Sequence, residues 1–103
     1  MAVIGILKKA SKVLKEFGWC QGVYENEHGQ CCLVGALRKA AGGPSEGWAS
    51  RTRGAREVIR LAIRRSDITD YNDAHGRKKE TILRAIDRAI EIARQRRKAA
   101  RRG

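Results

Sequence analysis

The chain is poor in acid: 11 Asp and Glu stand against 23 Lys and Arg in 103 residues, a formal charge of +12. That shortage disfavours a cationic partner and favours a polyanionic one, meaning nucleic acid, an anionic membrane surface or an acidic protein. Only five aromatic residues occur, two Trp, two Tyr and one Phe, so Trp19 and Trp48 are expected to seal a small core rather than to form a row of stacking platforms. With a single Pro and no low-complexity stretch, a linker and a second domain are not expected. No apolar run approaches the ~20 residues that span a bilayer. The opening Met1 to Leu7 gives way to Lys8 and Lys9, too soon even for an ordinary signal segment, and the chain is read as cytoplasmic. Three cysteines, an odd number with two adjacent, exclude a complete intrachain disulfide framework and fit reduced thiols.

Helical periodicity dominates what is present. Val3, Ile6, Leu7, Ala10, Val13, Leu14 and Phe17 predict a first amphipathic helix that ends at Gly18, with lysines on its other face. Residues 19 to 30 read as a loop or a short hairpin. A buried second helix is expected over Cys31 to Ala41, stopped by Gly42, Gly43 and Pro44, with Gly35 allowing close approach of another helix. After a loop through Ser45, a third helix runs from Ala49 to Arg65, weakened at its start by Gly54. Val58, Ile59, Ala62 and Ile63 face inward there, and Arg53, Arg56, Arg60 and Arg64 share one face. Ser66 to Gly76 is a polar, turn-rich loop, and a fourth helix starts near Lys78 with Ile82, Leu83, Ile86, Ala89, Ile90 and Ala93 as its stripe. From Arg94 nothing large remains to bury, and like charges four residues apart should leave the tail frayed until an anion orders it. The fold class is all-α: a compact four-helix domain over residues 1–93, with room for a short hairpin between helices 1 and 2, and a basic helical tail over 94–103. Trp19, Cys32, Leu33, Leu37, Ile59, Ile86 and Ile90 are the expected core.

Gly18-Trp19-Cys20-Gln21-Gly22, Cys32-Leu33-Val34-Gly35-Ala36-Leu37, and Tyr71-Asn72-Asp73 with Gly76-Arg77 recur in an order that resembles a family of small uncharacterised proteins. Its members occur in bacteria, especially actinobacteria, and in their phages. The resemblance covers residues 10 to 93 and rests on Trp-x-Gln-Gly (Trp19, Gln21, Gly22), Cys-x-x-Gly-Ala-Leu (Cys32 to Leu37) and Asn-Asp-x-x-Gly (Asn72, Asp73, Gly76). Where the family commonly has Thr after Gly-Arg to cap the last helix, this chain has Lys78. The resemblance implies a fold and a phage or bacterial origin, with the bacterial host cytoplasm as the compartment, but no chemistry.

Three constellations compete. A thiol nucleophile would use Cys31 or Cys32 near a helix N-terminus, His75 as base and Asp73 or Asn72 as orienter; against it, free cysteine is among the most buried residue types. A metal could draw on Cys20, His28, Cys31 and Cys32, yet adjacent cysteines lack the Cys-x-x-Cys spacing of structural zinc. Asn72 and Asp73 read as turn residues that cap the following helix.

The basic residues form a fourth constellation. Residues 1–50 carry a charge of about +2 and residues 51–103 about +10. Arg53, Arg56, Arg60 and Arg64 on the third helix, with Arg94, Arg96, Arg97, Lys98, Arg101 and Arg102 in the tail, are the candidate phosphate contacts, and simple solubility does not require so much charge of one sign. The sequence reading is therefore a small basic protein that binds nucleic acid, DNA or RNA, or a nucleoprotein such as the ribosome, without a recognition helix and without a cofactor. Its rivals are a cysteine-dependent enzyme and an adaptor for an acidic protein or anionic membrane.

Overall fold

The 3.6-residue spacing of the first apolar stripe produces α1 (Val3–Phe17), with Ile6, Leu7, Ala10 and Leu14 buried and Lys8, Lys9, Lys12 and Lys15 exposed. These positions come from a computed structural model that describes residues 3–43 and 46–102. Gly18 stops the helix at φ +102, and its N–H donates to the Leu14 carbonyl at 3.0 Å.

The second helix, α2 (Leu33–Ala40), starts two residues later than expected, because Cys32 is its N-cap and Cys31 lies outside it. Two successive glycines close α2 with bonds from Gly42 N–H to Lys39 O and from Gly43 N–H to Arg38 O. The rest of the expected stop, Pro44 and Ser45, lies outside the described residues.

The single helix expected over Ala49 to Arg65 is two helices, α3 (Trp48–Arg51) and α4 (Arg53–Ile63). Thr52 divides them: fully buried, its hydroxyl donates back to Ala49 O at 3.4 Å and accepts from Arg56 Nε at 3.2 Å. A side chain that bonds the preceding turn competes with the helical ladder. Arg64 ends α4 in the left-handed region, φ 57, a conformation more often given to glycine.

Within the expected polar loop the chain forms α5 (Ile68–Asp73), whose N-cap Asp67 accepts from Asp70 N–H at 3.0 Å. Six residues are too few to show a helical period, which is why pattern reading passed over it. The last helix, α6 (Lys79–Arg102), buries Ile82, Ala85, Ile86, Ala89, Ile90 and Ala93, and it does not end there. It runs unbroken through the segment expected to fray, reaching about 36 Å at 1.5 Å per residue. At its start Lys78 contributes only its carbonyl, which accepts from Thr81 and Ile82, because a lysine side chain has no acceptor to offer as a cap.

Among the described residues six helices thus replace the expected four, and there is no strand. The hairpin reduces to two isolated bridges that Cys31 makes with Trp19 and Glu25. Helix α1 lies against α2, α4 and α6, α6 also lies against α4, and α5 joins α2 to α4. Leu7, Leu14, Leu33, Leu37, Ile59, Ile82 and Ile86 are fully buried between them. Of the expected core, Cys32 and Ile90 are also buried, whereas Trp19 sits half-buried against the edge.

Gly35 admits something other than a helix. A Cβ there would overlap the Tyr24 carbonyl, so what lies against α2 is the backbone of the 19–32 loop. Gly54 has the related duty of admitting Val3 of α1. No helix among the described residues is long and apolar enough to cross a membrane.

Candidate nucleic-acid interface

Asn72 decides what the cysteine-bearing loop is for. It is fully buried in α5, a long way from the turn residue expected of it, and its amide uses both ends. Its Oδ1 accepts from Trp19 Nε1 at 2.7 Å and from Leu33 N–H at 3.0 Å; its Nδ2 donates to Cys20 O at 3.1 Å and to Asp73 Oδ1 at 2.9 Å. Gln21 Nε2 donates to the carbonyls of Asn72 and Ala74, both at 3.0 Å, and Gly22 N–H donates to Asp73 Oδ1 at 3.0 Å. Residues of all three sequence motifs therefore meet in one hydrogen-bond network that ties the loop to α5 and to the first turn of α2. A buried amide with both ends satisfied is a specifying element of a core. It caps no following helix.

The thiols are arranged like core groups too. Cys31 and Cys32 are both buried, although on a single helix they would have diverged. Cys32 Sγ accepts from Gly35 N–H at 3.3 Å, and Cys20 Sγ donates to Gln30 O at 3.2 Å. Burial is the leading cause that pushes all three thiols up from their ordinary value, with neighbouring acidic groups adding to it. That is opposite to the activation a nucleophile needs. His75 is exposed and makes no hydrogen bond to a cysteine among the described residues, so the Cys/His pairing is not assembled. Nor do the described residues hold a group of three or more His, Cys, Asp or Glu that could bind a metal; His28 instead stands beside Glu27 at 3.8 Å on the surface.

The basic candidates divide by what holds them. Arg56 donates from Nε to Thr52 Oγ1 and from Nη2 to Ala49 O, and Arg60 donates from Nε to Ser66 O at 2.9 Å. Burial first, then the nearby charges of Arg60 and Arg53, lowers the Arg56 pKa. Arg53 and Arg64 are exposed. On α6, Arg94, Arg97, Lys98, Arg101 and Arg102 are exposed, and Arg96 pairs with Glu57 of α4 at 3.3 Å. That pair brings the end of α6 beside the α4 arginine helix, so the two groups of candidate residues belong to neighbouring elements.

A model of a family described as "Family of unknown function (DUF6197)" matches residues 1–92. The chain belongs to this family. No curated protein and no solved structure matches it. The DUF6197 match contains the Asn72 network and the α4 arginines and stops two residues before Arg94, leaving the basic end of α6 outside the matched region.

One group within the DUF6197 region was marked out by sequence reasoning only at Trp48, which was assigned to sealing the core and is half-buried instead. Tyr24 and Trp48 meet edge to face, with ring centroids 5.8 Å apart, and the Arg38 guanidinium stands 4.9 Å from the Tyr24 centroid and 5.8 Å from that of Trp48. A second such pair is Arg77 over Tyr71 at 3.9 Å. Residues 24, 38 and 48 share no element and no period, so only the scarcity of aromatic residues could have marked them for attention.

Proposed function

We propose that this chain is a small basic accessory protein, of bacterial or phage origin and acting in the bacterial cytoplasm, that binds nucleic acid or a nucleoprotein such as the ribosome with little sequence preference. The observation that carries the reading is the end of α6: from Arg94 to Arg102 it has six basic residues, no acidic one and no apolar residue larger than Ala, and all are exposed. A helix that projects charge of one sign with nothing to bury suits a phosphate backbone, whose contacts position a protein without reading sequence. Arg53 and Arg64 on the neighbouring α4 extend the same charge.

Affinity purification of the whole chain with and without nuclease, beside a chain truncated before Arg94, tests this. Nucleic acid should be recovered with the whole chain, lost on nuclease treatment and much reduced by truncation. If about six phosphates are engaged, the logarithm of the binding constant falls against log salt with a slope near −5, and truncation removes most of that slope. Unchanged recovery after truncation overturns the mechanism. Binding to anionic vesicles with no binding to nucleic acid selects the membrane-adaptor reading in its place.

A further inference from the structure

Beside the Tyr24 and Trp48 rings lies a cleft of about 380 Å³, bounded by those rings, Arg56 and Arg60 of α4, Val34 of α2 and Thr69 of α5. We infer that this cleft receives one unpaired nucleotide of a single-stranded nucleic acid, its base against the rings of Tyr24 and Trp48 and its phosphate on Arg56 and Arg60. The inference rests on the nucleic-acid reading above and adds to it a place, a strand state and a set of residues.

Four observations carry it. Tyr24 is 41 % exposed although it is a large ring on a protein with few aromatic residues, and Trp48 is only half-buried beside it. Arg38, which braces both rings, is not part of the cleft wall, so it holds them without filling the space. The two arginines on the wall are oriented in advance: Arg56 is anchored through Nε and Nη2 and Arg60 through Nε, which leaves each with undirected N–H groups on a fixed guanidinium. The one carboxylate on the wall, Asp67, accepts from the Asp70 N–H as the cap of α5 and forms no ion pair with either arginine among the described residues. An aromatic surface next to pre-positioned guanidiniums that form no ion pair among the described residues matches a base joined to a phosphate, and single-stranded recognition works by stacking bases on such rings. A base stacked between its neighbours in a duplex offers no free face to them.

The Asn72 network acquires a use beyond stability. It fixes the loop whose Tyr24 carbonyl accepts from Cys32 N–H at 3.2 Å and abuts Gly35, and so it fixes where the Tyr24 ring stands. A second hollow of about 300 Å³, walled in part by Val23, Tyr24 and Cys32, shares Tyr24 and Thr69 with the first.

Fluorescence anisotropy with a labelled uridine oligomer, and with a duplex of equal length, tests the assignment on the full chain, Tyr24→Ala and Trp48→Phe. Single-strand affinity should fall at least about fivefold in Tyr24→Ala, the least that loss of one stacked base costs, while duplex affinity holds. Quenching of tryptophan fluorescence by the oligomer should be lost in Trp48→Phe. If the wild type binds and Tyr24→Ala binds the single strand equally well, the cleft assignment fails and the nucleic-acid reading stands. If the wild type binds neither form at low salt, both fail. A uridine mononucleotide that competes as well as the oligomer at equal nucleotide concentration overturns the assignment to a strand. Circular dichroism matching the wild type confirms that each variant is folded.

Discussion

Replacing Asn72 by Ala should cost about 3 to 5 kcal/mol of folding free energy. The substitution takes the acceptor from the Trp19 indole N–H and from the Leu33 amide, and the donor from the Cys20 carbonyl. A buried polar group left without its partner costs about 1–3 kcal/mol. The Leu33 amide sits in a fully buried residue and should be charged near the top of that range, whereas Trp19 and Cys20 are half-buried and water can recover part of theirs. Domains of this size have about 5–15 kcal/mol in all, so the variant should be marginal, with a Tm lower by some 15–30 °C. Urea unfolding followed by tryptophan fluorescence reads the midpoint. Asn72→Asp sharpens the test, since it keeps the oxygen that accepts from Trp19 and Leu33 but turns the donor into a carboxylate oxygen facing Cys20 O and the Asp73 carboxylate. That neighbour raises the folded pKa of the introduced carboxyl above its unfolded value near 4, so stability should be greatest at low pH and be lost as pH rises through the folded value. A cost below about 1 kcal/mol for Asn72→Ala at pH 7 would mean that the network is not what holds the loop.

Gly35→Ala must displace the Tyr24 carbonyl and with it the bond to Cys32 N–H; the expected cost is about 1–3 kcal/mol by urea unfolding, with faster labelling of the Cys32 thiol. The buried Cys31 and Cys32 thiols should react slowly with a disulfide reagent at pH 8 in the folded protein and rapidly in urea, with the half-buried Cys20 the fastest of the three before unfolding. Because burial raises their folded pKa above the ordinary 9.0, their contribution to stability is complete below pH 9 and is lost as pH rises toward the folded values, which urea midpoints measured from pH 7 to 10 on the wild type and a thiol-free variant will show. Glu57→Gln, which removes the partner of an exposed Arg96, should change stability by no more than about 1 kcal/mol and strengthen nucleic-acid binding slightly, read by urea unfolding and anisotropy.

The long stripes of α1 and α6 were legible because each repeats over several turns, and Gly18 marked its stop for a stereochemical reason. The division at Thr52 was not, since its cause is a hydroxyl that bonds backwards in a site whose burial depends on tertiary packing. Asn72 and Asp73 were visible as a motif and misread as a turn. Their partners, Trp19, Gln21 and Gly22, lie more than 50 residues away, and no local rule connects them. Gly35 was rightly read as a place of close approach, but a sequence does not say whether a helix or a loop approaches. The helical tail past Ala93 was expected, but as a frayed appendage rather than as the unbroken end of α6, because charge repulsion was weighed above the helix propensity of Arg, Lys, Gln and Ala.

The separation of Asn72 from its partners also sets an order of events during synthesis. The Trp19 indole must wait for a residue 53 positions later in the chain. At translation speeds of about 5–20 residues per second, that interval lasts on the order of 3 to 10 seconds. During it the first helix can form on its own, but the loop bearing Cys20, Cys31 and Cys32 has no latch, so a growing chain presents two thiols, Cys31 and Cys32, that the finished protein conceals. Oxidation at Cys31 and Cys32 should therefore be confined to the time before α5 emerges.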